Sequence, residues 1–215
     1  MTMCRILVVK SDKEFEISRH LERFAALCRR SKEYQGHGWG LAVPDGGRWK
    51  VYKSLAPVWE QKMRGFGRSR LLMVHARSAF RNENINLEYN MPFDSGRLAF
   101  AFNGELRGVR IGGRGVSGAE KIFHFVKRLG DTGLPRPLKS GGDIIAERTA
   151  YVRAMNMVSC DMSKIAVYSR FSEDEEYFSM RIKRENGTFL LCSEKYPDDE
   201  ESCWERVPNH SYLEA

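Results

Sequence analysis

Three apolar runs of strand length share one design. Met3-Cys4-Arg5-Ile6-Leu7-Val8-Val9, Leu71-Leu72-Met73-Val74-His75-Ala76-Arg77 and Leu98-Ala99-Phe100-Ala101-Phe102-Asn103-Gly104 are continuously apolar except at one end, where polar residues gather. A short run without alternation reads as a strand covered on both faces. Such a chain needs a buried sheet, and the polar ends of its strands are where a site is built.

The rest of the chain supplies the cover. Ser11 or Asp12 is expected to cap a helix with Phe15, Leu21, Phe24, Ala25 and Cys28 at helical spacing, ending in Arg29, Arg30 and Lys32. Glycine-rich Gly36 to Val43, the turn Pro44-Asp45-Gly46-Gly47 and Trp49 to Lys53 read as a hairpin. Ser117, with Glu120 three residues on, forms a capping box for a helix that carries Ile122, Phe123, Val126 and Leu129 on one face. A loop from Gly130 to Gly142 then leads to a helix expected from Asp143 to about Val158. Strands follow at Lys164 to Ser169, Tyr177 to Arg184 and Thr188 to Cys192, the last two joined by Asn186-Gly187. The order β, α, several β, α, α, several β suits an α+β chain in which two sheets stack and helices cover both outer faces.

At 215 residues a single domain over 1–215 is expected. No apolar run approaches the roughly 18 residues of a membrane span, and charge from Lys10 to Glu16 excludes a signal peptide. Five cysteines without CxxC spacing fit reduced thiols in a cytoplasm, and no metal site is expected. The net charge of +7 is spread out, with local excess from Lys62 to Arg70 and at Arg107, Arg110 and Arg114. A solvated basic face is expected rather than a nucleic-acid groove.

Cys4 has two readings. It is a small apolar residue at the start of a strand, or, if the residues ahead of it are removed, it carries a thiol and a free α-amine on one residue. An α-amine titrates near 7.7–8.0 and a thiol near 8.5, so the amine can take the thiol proton at neutral pH (values approximate). One residue then supplies nucleophile and base.

Five stretches in order resemble the class II glutamine amidotransferases: Met3-Cys4-Arg5, Gly36-His37-Gly38-Trp39-Gly40, His75-Ala76-Arg77, Asn90-Met91-Pro92-Phe93 and Phe100-Ala101-Phe102-Asn103-Gly104-Glu105. The ending Leu190-Leu191-Cys192-Ser193-Glu194 with Trp204 is similar to the close of small stand-alone members. The resemblance implies the N-terminal-nucleophile hydrolase fold, a four-layer αββα sandwich of two antiparallel sheets covered by helices. It implies that Cys4 attacks the side-chain amide of glutamine, that Asn103 and Gly104 form the oxyanion hole, and that Arg77 clamps the substrate carboxylate. His75 and Trp39 fall beside the substrate by the same resemblance, though His75 reads first as a structural histidine and not as an acid or base, and Trp39 reads equally as core. No cofactor is implied. The ammonia acceptor would be a separate synthetase.

Two departures stand out. Met1-Thr2-Met3 precede Cys4 and must be removed before its amine can act. Gly118 stands where the family carries an Asp for the α-ammonium of glutamine, leaving Glu120, Asp94 or Glu105 as substitutes. A γ-glutamyl or other small amide, or a silent binding role on the same fold, is the alternative these departures suggest.

Overall fold

Strand β1 (Arg5–Glu16) shows why the chain needs two sheets. In the computed structural model, which describes residues 3–79, 81 and 83–215, residues 6 to 9 are fully buried. Leu7 and Val9 pack under helix α1 (Ile17–Arg30) with Leu21, Phe24 and Cys28. Ile6 and Val8 face the other way, into apolar residues of a second sheet. Alternate side chains of one strand thus serve two cores.

Among the described residues the strands form two antiparallel sheets. The first contains β2 (Trp39–Asp45), β3 (Arg48–Ser54), β4 (Arg68–Ala76), β9 (Arg181–Glu185), β10 (Thr188–Cys192) and β11 (Glu205–Arg206), in the order β11-β9-β10-β1-β4-β2-β3. The second comprises β5 (Phe93–Asp94), β6 (Ala99–Val109), β7 (Thr149–Cys160), β8 (Ile165–Phe171) and β12 (Ser211–Glu214), in the order β12-β8-β7-β6-β5. Ala99, Ala101, Val158 and Val167 of the second sheet meet Ile6, Val8, Ala42 and Met73 of the first. On its far side Phe100, Met155 and Met157 take Ile122, Phe123 and Val126 of α2 (Gly118–Asp131) and Leu138 and Ile145 of α3 (Pro137–Glu147). The layers are α, β, β, α, as expected. Among the described residues no helix is long and apolar enough to cross a membrane.

Two turn signals act as their chemistry requires. Asn186 and Gly187 both have positive φ (48° and 74°), the type I′ geometry that matches strand twist. Ser117 Oγ accepts from Glu120 N–H at 3.1 Å, and Glu120 Oε2 accepts from Val116 N–H at 2.7 Å, a cap closed from both sides.

Three expected boundaries are corrected. Ser11 and Asp12 cap nothing: β1 continues through them, with Ser11 Oγ and Thr188 Oγ1 2.9 Å apart and Asp12 N–H donating to Gly187 O at 3.0 Å. The β9–β10 hairpin supplies these partners, so the helix starts later, at Ile17, with no side-chain cap. The helix expected from Asp143 to Val158 is α3, which begins at Pro137 in the first turn and ends at Glu147. Residues 149–160 are instead β7, central between β6 and β8 and buried on both faces from Val152 onward, where periodicity alone does not separate strand from helix. Tyr177 belongs to a short helix, α4 (Glu175–Phe178), and the following strand begins only at Arg181.

Helix α3 lies close to the sheet because Gly142 has no side chain. A Cβ there would stand 2.6 Å from the Tyr168 ring, whose hydroxyl donates to Asp143 Oδ1 at 3.1 Å. Gly142→Ala is expected to lose about 1–3 kcal/mol through overpacking, read as a lower urea midpoint at constant slope. An unchanged midpoint would mean that the layer spacing does not depend on this glycine.

Candidate active site

The backbone laces the motif stretches together. β1 pairs with β4 in a register that sets Arg5 opposite Ala76, so Cys4 emerges beside Arg77 and Ser78. His37 N–H donates to Arg77 O at 3.1 Å, Arg77 N–H donates to Gly38 O at 2.8 Å, and Ala79 N–H donates to His37 Nδ1 at 2.9 Å. Gly38 has φ 105°, and a Cβ would collide with the Asn90 side-chain amide, which donates to Ser54 O at 2.9 Å. Phe102 N–H in turn points at Met91 Sδ, 3.3 Å away. All five stretches therefore meet at one end of the two sheets.

There they border a cavity of about 730 Å³, lined by Cys4, Arg77, Ser78, Gly104 and Gly118 among others. The Cys4 thiol donates to Ser78 O at 3.8 Å. Burial raises its pKa from the ordinary thiol value, and the Ser78 backbone and the charges of Arg77 and Arg5 offset only part of that. The sulfur is thus a neutral thiol at rest and needs a base to become a nucleophile. Arg5, fully buried, turns away from the cavity, pairs with Glu194 and stacks 4.6 Å over Tyr177. Of the residues ahead of Cys4, Met1 and Thr2 lie outside the described residues. Met3 packs against Ala154, Phe171 and Phe178, its N–H donating to Glu33 Oε2 at 2.7 Å and its carbonyl accepting from Gln35 Nε2 at 2.6 Å.

Arg77 is held by carbonyls: Nη1 donates to Asn84 O at 2.8 Å and Nη2 to Glu83 O at 3.5 Å, with Tyr89 5.3 Å below the guanidinium. Among the described residues no carboxylate pairs with it. Burial lowers its pKa, partly offset by Cys4 and Tyr89. A desolvated guanidinium without a counter-ion is suited to an anionic ligand. Asn103, one residue from the cavity wall, is 3% exposed, and its Oδ1 has no partner. Gly104 lines the cavity where a Cβ would run into the Ala154 carbonyl. Only glycine brings the backbone that close at this point of β6, next to the bulge at Glu105 and Leu106.

His75 and Trp39, expected beside the substrate, do not line the cavity. Both are fully buried. Trp39 packs in the core under α1, its ring 5.4 Å from that of Tyr52, because it starts β2 on the helix-facing side. His75 sits between Ile6 and Gly40 in the first sheet. Burial first, then Arg77, drives its pKa down to about 3, against the Phe102 carbonyl, with which neither ring nitrogen makes a well-formed hydrogen bond. The carboxylates considered for the ammonium divide likewise. Glu120 is occupied at Val116 and Asp94 caps Gly96 at 3.1 Å, both away from the cavity lining, whereas Glu105 lines it. Ser78 was invisible as a motif. Its hydroxyl is buried without a partner on the cavity wall, a property that appears only once β4 is paired.

No family model and no curated protein matches the chain. Solved structures do. The glutamine phosphoribosylpyrophosphate amidotransferase of B. subtilis aligns with a TM-score of 0.65 at 18% identity over 88% of this chain, which spans 42% of that one. A glutamine aminotransferase class-II domain protein from Silicibacter pomeroyi gives 0.65 at 14% identity, covering 98% of this chain and 94% of that one. The fold is that of the class II glutamine amidotransferases. A predicted glutamine amidotransferase from Pseudomonas aeruginosa agrees, at 0.61 and 15% identity over 98% of this chain and 96% of that one. At such identities the shared property is the fold, and chemistry must be argued from the residues of this amidotransferase-like chain.

His75, with its pKa near 3, and His20, lowered to about 4 by burial, are both neutral in the folded chain. Both folded values lie below the unfolded value of about 6.5, so the unfolded chain takes up the proton first. Their contribution to stability is complete above about pH 6.5 and is lost as the pH falls through the folded values. His75→Leu is expected to remove part of that acid loss: its urea midpoint gains on the parent as pH falls from about 7 to about 4. A constant difference across this range would place the acid sensitivity elsewhere.

Proposed function

We propose that this chain is an amidohydrolase of glutaminase type in which Cys4, once it is the first residue, attacks the side-chain amide of glutamine or a close relative. The observation that carries this is the meeting of the Cys4 thiol, Gly104 and an unpaired Arg77 on one cavity. The thiol passes its proton to the Cys4 α-amine as sulfur bonds to the amide carbon. The tetrahedral oxyanion is received by the Gly104 N–H and the Asn103 side-chain amide. The C–N bond breaks as nitrogen takes the proton from the amine, and ammonia leaves. Water then cleaves the thioester to the free acid and restores the thiol. Arg77 holds the substrate carboxylate throughout.

The residues around Met3 support a role for the terminus. Glu33 and Gln35 already bind the backbone one residue ahead of Cys4, and removal of Met3 sets them beside the new amine. Free ammonia is passed to a synthetase partner, for which the exposed Arg107, Arg110 and Arg114 form the docking face, and the chain acts in a reducing cytoplasm where its cysteines stay thiols.

The chain beginning at Cys4 is expected to release ammonia and Cys4→Ala to release none, while Asn103→Ala loses about two to three powers of ten in kcat. With a diazo-ketone analogue of glutamine in large excess, intact mass is expected to show one adduct, mapped to Cys4. An unmodified chain would refute the proposal.

A further inference from the structure

The cavity is charged in one sense. Arg77, Arg107 and Lys121 line it against a single carboxylate, Glu105, among the described residues. That carboxylate is already shared: Oε1 accepts from Arg107 at 2.7 Å and Oε2 from Arg153 at 3.2 Å. Arg153 is shared in turn with Glu173 at 3.3 Å, so Glu105 is spent within a local cluster of paired charges.

The opposite wall adds to the same sign. Ser117, Gly118 and Ala119 line the cavity at the start of the 14-residue α2. Ser117 Oγ is taken by Glu120 N–H, and the earlier N–H groups of the first turn have no acceptor within the helix. A helix N-terminus carries partial positive charge and favours acceptors and anions. Independently, Ser78 lines the cavity next to Arg77, which no carboxylate pairs among the described residues, and its hydroxyl is enclosed without a partner. An α-ammonium placed here would meet cations and N–H donors and no free carboxylate, leaving a desolvated charge without a partner. Between the charges the wall is apolar, with Ile111, Ala119 and Ile122, and the volume falls in the range of roughly 300–1,000 Å³ typical of small-molecule sites.

Resting on the assignment of Cys4 as nucleophile, we propose that the amide hydrolysed is one without an ammonium group: an acid amide of glutamine type whose α-nitrogen is acylated. Arg77 and the Ser78 hydroxyl bind its carboxylate. The acyl carbonyl accepts from the first-turn N–H groups of α2, and the acyl carbon chain lies on Ile111, Ala119 and Ile122. Cys4 attacks the side-chain amide as before, so the products are ammonia and the N-acylated diacid.

The test uses the chain beginning at Cys4 with N-acetyl-L-glutamine, L-glutamine and glutaramate, which lacks the nitrogen altogether, each followed by ammonia release. N-acetylglutamine is expected to exceed glutamine in kcat/KM by about tenfold or more, with glutaramate between them. Calorimetry on the Cys4→Ala chain reads the same order as binding, without turnover. Ser78→Ala is expected to raise KM for N-acetylglutamine with little change in kcat. Gly118→Asp is expected to move the preference toward glutamine, since Gly118 lines the cavity and a Cβ there meets nothing within 4 Å. Equal or better use of glutamine by the parent chain, with the diazo-ketone adduct present on Cys4, overturns the substrate class alone. Absence of both the adduct and ammonia from every amide overturns the hydrolase reading with it.

Discussion

The register between β1 and β4 is the constraint on which the site depends. With Arg5 opposite Ala76, the residue before the first strand faces the residues just after the other. Slippage of β1 by one position would exchange its two faces, sending Ile6 and Val8 toward α1 and Leu7 and Val9 toward the second sheet. The register is held because both faces are buried. Each of the four apolar residues from Ile6 to Val9 is fully enclosed, and such burial stabilises by about 1.5–3 kcal/mol per side chain. The sulfur is therefore positioned by hydrophobic packing far larger in extent than any contact it makes itself.

Around this pairing the polar groups are left unusually short of partners. His75, Ser78, Asn90, Asn103 and the Trp39 indole nitrogen all have buried polar atoms without a hydrogen bond, and all lie in or beside the motif stretches. In an ordinary core such atoms are avoided, since each forgoes its hydration. Their concentration at one end of the sandwich marks the place where the fold gives up local stability, while the opposite ends of the sheets close with well-satisfied turns such as Asn186-Gly187.

Much of this was legible in the chain as text, for identifiable reasons. Gly38 and Gly104 stand where the backbone must bend or approach a carbonyl, so they print as motifs. Ser117 and Glu120 cap a helix through local contacts that any reader of the sequence can infer. What failed to show depends on distant partners. β7 is a strand because β6 and β8 flank it, and its own residues from Val152 to Cys160 read equally well as a buried helix. Ser11 remains extended because Thr188 lies across from it. Trp39 and His75 sat within the right motifs, but Trp39 starts β2 on the face toward α1, and His75, paired with Ile6, lies fully enclosed between the sheets. The hydroxyl of Ser78 gained meaning only when nothing else proved able to bond it.

Met3 remains. With 1% of its surface exposed, it is wedged among Ala154, Phe171 and Phe178 as firmly as any interior residue, although it lies directly ahead of the sulfur. Any trimming that liberates the cysteine amine therefore also opens a vacancy in the apolar interior, forfeiting contacts of a kind worth about 1.5–3 kcal/mol for a methionine. The untrimmed chain is in that sense the more complete molecule. Maturation would trade structural integrity at one corner of the sandwich for a reactive terminus, and the finished form would hold its first residue more loosely than its parent held the third.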